Sequence, residues 1–349
     1  MKILVINCGS ATIKADVFTQ EKGELQFSGK SLAENFSDYK EAILGIVADF
    51  ERRGVLKAEE LTAIGHRVVH GGLKFFEPVI IDDSVIQTIR EYCIFAPLHN
   101  PANLAGIEYS MERFNVPQVA VFDTAFHQTM PPVATTYAIP PRLSQKYNIR
   151  RYGFHGPSHE YVTRECAKQM NIPYNEFNAI SLHLGNGASI CCVRNGKSID
   201  TSMGFTPLEG LVMGSRSGDI DAGLLLFLQD AEKLTPKEMD TLLNKESGLK
   251  GLCGTNDMRE IEKRATEGDA SALLALQIFV ERVRKYLGAY LMHGKPHAII
   301  FTAGIGENSK IIREKICAGL EHLNLPPVVV VETDEEKVIA EAALKLTQS

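Results

Sequence analysis

Two arginines, several histidines, one strand-end aspartate and three Gly/Ser/Asn turns supply the chemistry available to this sequence. Arg67 sits in Gly65-His66-Arg67-Val68-Val69-His70-Gly71-Gly72, and Arg216 in the glycine-rich polar stretch 201–219. His155 follows Arg151-Tyr152-Gly153-Phe154, Asp123 ends the apolar run 118–122, and His99 lies in Ala96-Pro97-Leu98-His99-Asn100-Pro101. Taken singly each is ordinary: a strand arginine usually pairs at an edge, and a lone histidine is usually a satisfied core residue. Together they form the inventory of phosphoryl transfer. Backbone donors and a lysine hold phosphates, a carboxylate anchors a metal, and cations neutralise the phosphoryl oxygens.

Other motifs fail on spacing. Gly196-Lys197-Ser198 has the tail of a phosphate-binding loop, but Cys191 stands where that motif needs glycine, so the triplet reads as a hairpin turn. Gly304-Ile305-Gly306-Glu307-Asn308-Ser309 follows a strand and precedes a helix as a dinucleotide fingerprint does, yet its last glycine is replaced by Ser309. Backbone contact with a phosphate suits it; a redox cofactor does not follow. His155 and His159 have helical metal-pair spacing but are split by Pro157, and His293 and His297 straddle Pro296, so zinc is not expected.

Composition narrows the class. A length of 349 residues suggests two domains. With 44% hydrophobic and 23% charged residues, disorder, a fibrous repeat and a disulfide-stapled miniprotein are excluded. Lysine and arginine number 37 against 43 acids, a net charge of −6, which argues against a general nucleic-acid binder. The seven cysteines form no CxxC pair, and Cys191 and Cys192 are adjacent, as expected of reduced thiols in a cytoplasmic protein. The apolar run after Lys2 ends at Asn7, too short for a signal peptide, and no run approaches the ~18 residues of a membrane span.

These side chains need elements to carry them. Strands are predicted at 3–6, 13–18 and near 25–27, a helix at 38–50, a strand at 63–69, helices at 83–93 and 103–114, and a strand at 118–122 that delivers Asp123. Pro131-Pro132 and Pro140-Pro141 bracket a loop-rich stretch. Pro157 suits the first turn of a helix running to about residue 170. Strands follow at 179–184 and 189–193 around Gly185-Asn186-Gly187, and Asn195-Gly196 signals a hairpin into 197–200. Helices are predicted at 220–231, 236–245, 257–266, 270–292 and 310–321, strands at 298–302 and 328–331, and a last helix from 334. The alternation gives an α/β class. The strand–turn–strand units at 3–18 and 180–193 read either as an internal repeat or as two glycine-rich hairpins of independent origin.

At this point the sequence strongly resembles the acetate kinase family, within the wider group of sugar kinases, Hsp70 and actin. The matching stretches are KILVINCGSATIK, GHRVVHGG, APLHNPANLAGI, FDTAFHQTMPP, RYGFHGPSHEYV, HLGNGASI, TSMGFTPLEGLVMGSRSGDID and FTAGIGENS. They run from Met1 to about Asn308, and the resemblance resumes over 328–340. It implies two actin-like, ribonuclease H-like domains from a duplicated βββαβαβα unit with a cleft between them. Residues 1–150 with the C-terminal helix 334–349 would form one domain, and 151–333 the nucleotide-binding one.

The resemblance also implies roles. Asn7, Ser10, Thr12 and Lys14 match the first phosphate-side turn, with Asn7 and Glu335 at the metal and Glu336 left as the alternative glutamate. Arg67, Arg216, His155 and Asp123 match the catalytic residues, and His99 a neighbouring support to the transition state. His183, Gly185, Asn186 and Gly187 match the second phosphate turn. Asp257, Met258 and Arg259 match the segment beside the adenosine, and Gly304, Ile305, Gly306 and Asn308 the loop on its phosphate and sugar side. Val69, Leu98, Phe154 and Pro207 match the pocket for the acetate methyl.

The implied activity is reversible phosphoryl transfer between ATP and acetate with Mg²⁺ or Mn²⁺, in a homodimer without nucleic-acid or membrane partners. Propionate or butyrate as the acceptor, and a non-catalytic ATP-binding module, are the alternatives; the paired arginines oppose the last. Departures from the family pattern fall at Cys8, Ala11 and Met258, and in shortened stretches before Gly65 and at 323–328.

Overall fold

A computed structural model of the chain describes residues 1–9, 12–97 and 99–348. In chain order its elements are β1 (Lys2–Cys8), β2 (Thr12–Glu21), β3 (Glu24–Glu34), α1 (Tyr39–Arg52), β4 (Leu61–Val68), β5 (Val79–Ile80), α2 (Asp83–Glu91), α3 (Asn100–Arg113) and β6 (Gln118–Phe122). Then come α4 (Pro132–Thr135), α5 (Pro141–Tyr147), α6 (Gly156–Gln169), β7 (Ala179–Leu184), β8 (Ala188–Arg194), β9 (Lys197–Thr201), α7 (Ala222–Ala231), α8 (Pro236–Thr241) and α9 (Gly248–Cys253). The chain finishes with α10 (Met258–Thr266), α11 (Ala270–Leu291), β10 (Ala298–Thr302), α12 (Ala303–Asn308), α13 (Lys310–Cys317), β11 (Val328–Val330) and α14 (Glu335–Gln348). The chain divides into two compact units. Met1–Gln128, Gly156–Tyr161 and Asp334–Ser349 make the first, and Thr129–His155 with Val162–Thr333 the second.

The first unit is built on a sheet ordered β3-β2-β1-β4-β6-β5. Alternate residues of β1 serve opposite faces, as the strand period requires. Leu4 and Ile6 join Ile13, Ala15 and Val17 of β2 under Ile43, Ile46, Val47 and Phe50 of α1. Asp38 caps that helix by accepting from Lys40 N, and its buried residues recur at helical spacing. Ile3 and Val5 face the other way, with Phe18, Ala63, Val119 and Val121, and are covered by Ile339, Ala340 and Ala343 of α14. Close approach of α14 requires Gly65 on β4: a Cβ there would lie 2.5 Å from Ile339 Cγ2.

The second unit carries a sheet ordered β11-β10-β7-β8-β9. β7 is buried along its whole length, and α11 buries Ala272, Ala275, Leu276, Phe279, Val280, Val283 and Leu287. Asn195 and Gly196 both take positive φ, 50° and 69°, the turn their sequence signals between β8 and β9. In each sheet an antiparallel meander of three strands is extended by two parallel strands on the side of its first strand, and the first sheet adds the short antiparallel β5 at its edge. The shared order favours the repeat over the independent hairpins.

Several bounds differ from the sequence reading. β3 runs on to Glu34, because most of this edge strand is exposed and shows no apolar alternation. The predicted helix 236–245 is interrupted after Thr241 by a wider π turn over Leu242–Glu246. The stretch 303–308, read as a loop from its glycines, is the short helix α12. The two-residue β5 and the six-residue α9 had no sequence signal.

Candidate active site

In the first unit, the parallel strands β1, β4 and β6 carry Asn7, Arg67 and Asp123 at or just beyond their carboxyl ends. Asp123 N donates to Val68 O, so the aspartate is held directly beside the end of β4. Arg67 grips it with a fork: Nε donates to Oδ1 at 2.8 Å and Nη2 to Oδ2 at 2.5 Å, with Asp123 only 1% exposed. Burial works against the Arg67 charge, but Asp123, with Glu335 and Glu336 behind it, more than compensates and holds the guanidinium above its ordinary value.

Asn7 pairs with Lys14 across β1 and β2. Lys14 Nζ donates to Glu336 Oε1 at 2.6 Å, so that glutamate is committed. Glu335 differs. Its Oε1 is buried and meets no hydrogen-bond partner among the described residues. Burial pushes the Glu335 carboxyl up, while Arg67 and Lys14 pull it down. Asp16, missed in the sequence, lies behind Lys14, and burial pushes its carboxyl up to about 6. Thr12 is exposed at the start of β2. Val69 is buried just past the end of β4, and His99 caps α3 and accepts from Asn103 N through its carbonyl. Ser10 and Leu98, and the departure at Ala11, lie outside the described residues. His66 and His70 are core histidines, pushed down by burial to about 4 and about 3.

In the second unit, His155 adopts a left-handed conformation at φ 58°, an uncommon state for a non-glycine residue at the head of α6. Its Nδ1 is hydrogen-bonded to Ser189 Oγ at 2.9 Å, and its ring stacks on His183 with centroids 4.1 Å apart. Gly187 faces this pair. A Cβ at 187 would lie 3.3 Å from His155 Nε2 and 3.8 Å from Arg216 Nη1, so the turn presents bare backbone to both side chains. Arg216 Nη1 also donates to Pro207 O at 3.2 Å. Phe154 is buried beside His155 in the chain.

The same turn borders a cavity of about 550 Å³ lined by Gly185, Asn186, Asp257, Met258, Arg259, Gly304, Ile305 and Asn308. Eight residues predicted on the nucleotide therefore line one hollow, while Gly306 is buried beneath it and Asn256, Glu262 and Ser309 join the lining. Asp257 caps α10 and also takes the Arg259 fork, with Nε donating at 3.0 Å and Nη2 at 2.7 Å. Asn256 Nδ2 donates to Asn186 Oδ1 at 3.0 Å.

Sequence reasoning missed Glu307. Its Oε1 accepts from Thr302 Oγ1 at 3.1 Å, Ala303 N at 2.8 Å and Thr333 N at 2.9 Å. It thereby holds Ala303 at φ 64° and ties the glycine loop to the segment that leads to Glu335. Nothing in the local sequence marks this, because Thr333 lies on a distant segment.

The residues fit a magnesium ion. Mg²⁺ typically keeps several waters and takes one or two protein carboxylates beside substrate phosphates. Glu335 offers an unclaimed buried oxygen. No cluster of three or more histidines, cysteines, aspartates or glutamates suited to a metal occurs among the described residues.

Comparison with known proteins agrees with this geometry. Residues 27–341 match the model of the Acetokinase family. The acetate kinase of Helicobacter pylori (strain Shi470) is 47% identical over 352 residues, covering 93% of this chain and 88% of that protein. The acetate kinase of Streptomyces coelicolor is 48% identical over 349 residues, covering 93% and 86%. A crystal structure of a Francisella tularensis propionate kinase superposes with a TM-score of 0.92 at 40% identity, and one of Porphyromonas gingivalis acetate kinase with 0.90 at 37%, each covering 99% of both chains. These likenesses bear out the α/β, sugar-kinase and actin-like fold expected from the sequence. The match along most of its length makes this chain a member of the acetokinase family, and hence a phosphotransferase of the kinase type.

Proposed function

We propose that the protein transfers the γ-phosphoryl group of ATP to acetate, reversibly and with Mg²⁺, giving acetyl phosphate and ADP by direct in-line displacement. The observation that carries this reading is the Gly185–Gly187 turn. Gly185 and Asn186 line the 550 Å³ cavity, and Gly187 faces His155 and Arg216. A nucleotide seated in the cavity would extend its phosphates along bare backbone toward the Arg216 guanidinium and the His155 ring.

Acetate's carboxylate is a deprotonated nucleophile at neutral pH, so no strong base is required. One carboxylate oxygen forms the new bond to the γ-phosphorus as the bond to the β,γ-bridging oxygen breaks, and ADP leaves. The task is to bring two anions together, which Arg67, Arg216 and His155 perform. Asp123 orients Arg67 through the fork. Glu335 and Asn7 would hold Mg²⁺, which would supply charge neutralisation to the phosphate groups. The family resemblance assigns His183, Thr12, Lys14 and His99 to the phosphate side, and Val69, Phe154 and Pro207 to the acyl group.

Trapping acyl phosphate with hydroxylamine tests the reading. With ATP, Mg²⁺ and acetate the enzyme is expected to yield hydroxamate. Nucleotide binding without hydroxamate from acetate, propionate or butyrate would leave only the non-catalytic module. Propionate is the second reading, favoured by the likeness to the Francisella tularensis propionate kinase. One methylene changes binding by only ~1–3 kcal/mol, so both acids are expected to react at different rates.

The working form we propose is a homodimer in the cytoplasm, where seven thiols suit a reducing medium. None of the ten residues of α7 is buried, although the helix reads Ala-Gly-Leu-Leu-Leu-Phe-Leu, with Leu226 70% and Phe227 66% exposed. Such a surface suits a second copy. Leu226→Ser with Phe227→Ser is expected to halve the mass in sedimentation equilibrium; an unchanged dimer would place the interface elsewhere.

A further inference from the structure

β1 and β4 run in parallel register only as far as Ile6 against His66. Beyond that rung they diverge. Asn7 and Cys8 stay with β2, while Arg67 and Val68 stay with β6. The backbone of Cys8 and Val69 therefore loses its mutual ladder at the place where the proposed phosphate turn and acyl wall begin. Buried polar groups need partners, and a lost rung must be replaced.

One side-chain amide replaces it. Asn103 in the first turns of α3 accepts from Val69 N through Oδ1 at 3.1 Å and donates to Cys8 O through Nδ2 at 2.7 Å. The side chain is 3% exposed, so water does not compete. One turn earlier Asn100, fully buried, accepts from His70 N and donates to His70 O, both at 3.0 Å. Thr124 Oγ1 accepts from Gly71 N at 3.1 Å. The segment after β4 is thus strapped by side chains rather than by a neighbouring strand. The helix that carries the strap cannot slide, because Gly106 lies against Cys8: a Cβ there would be 2.4 Å from Cys8 Sγ.

We propose that Asn103 is a positioning residue that sets the gap between the Asn7–Gly9 end of the phosphate turn and the Val69 wall, and so tunes both transfer and acyl-chain selectivity. This rests on the reading of Val69 as an acyl wall. The amide suits both neighbours, since Val69 N requires an acceptor and Cys8 O a donor. Aspartate keeps only the first, leucine keeps neither, and glutamine keeps both with one more methylene of reach.

The test compares Asn103→Asp, Asn103→Leu and Asn103→Gln with the unaltered enzyme and with Val69→Ala, measuring kcat and KM for ATP, acetate and propionate, and melting temperature. Asn103→Asp is expected to lower kcat about tenfold, the order of one unpaired buried carbonyl, with the propionate-to-acetate ratio of kcat/KM preserved. Asn103→Gln is expected to fold and to shift that ratio severalfold, and Asn103→Leu to lower kcat and shift the ratio together. A lower melting temperature in all three with an unmoved ratio would make Asn103 merely structural and overturn the proposal; Asn103→Gln decides this even if Asn103→Leu does not fold. Val69→Ala separates the two layers. If it leaves the ratio unmoved, the reading of Val69 fails; if it moves the ratio and Asn103→Gln does not, the strap fails alone.

Discussion

Replacing Arg67 with alanine is expected to lower kcat by about 10²–10³ while the protein remains folded, the loss typical of one transition-state donor. The fork to Asp123 is the reason for the size of the effect. It fixes the guanidinium plane, so in the proposed reaction its charge would meet the transferring group without reorganisation. The same variant leaves the Asp123 carboxylate buried without its arginine, and breaking such a pair typically costs about 3–5 kcal/mol of stability. Rate and stability then separate in a double variant. Arg67→Ala with Asp123→Ala is expected to recover much of the stability and none of the rate. Arg216→Ala is expected to show a rate loss of the same order. Steady-state turnover and thermal melting check all three, and near-normal turnover in Arg67→Ala would remove this residue from the reaction.

Glu335→Gln is expected to weaken metal binding at least 10–100-fold, the range already seen for partners one shell further out. Titration of Mn²⁺ followed by electron paramagnetic resonance, with ADP present, measures this without turnover. Glu336→Gln is the comparison. Glu336 is engaged by Lys14, so its loss is expected to act on Lys14 and to leave Mn²⁺ affinity within a few fold. The reverse pattern would make Glu336 the ligand. The sequence resemblance named Glu335 with Glu336 as the alternative; the ground for proposing Glu335 is one oxygen left unpaired there and one already bonded in its neighbour.

The elements most legible in the sequence were short apolar runs closed by breakers and buried on both faces. β6, β7 and β10 begin and end where their residues predict, because every side chain in them is apolar or enclosed. β3 was underestimated because its outward residues carry no pattern to read. α3 starts at Asn100 rather than 103, since Asn100 and Asn103 look like turn residues but spend their amides on the backbone of a distant strand. Spacing and residue type drew attention to the arginines, the glycine turns and Asp123, and the family resemblance supplied their roles. Asn103 and Glu307 stayed hidden because their partners are remote in sequence. So did the anchor of the 201–209 loop, where Arg151 donates to the carbonyls of Thr201, Ser202 and Met203 and pairs with Glu209.

The sheet of the first unit is covered on one side by a helix far from it in sequence. Ile3, Val5 and Phe18 wait for Ile339, Ala340 and Ala343, more than 300 residues further along the chain. Until that helix docks, one oily side of the strands has no permanent cover, the condition under which misassembly competes with maturation. A substitution that weakens the docking of α14 would therefore expose an aggregation-prone surface on a unit whose strands are already paired.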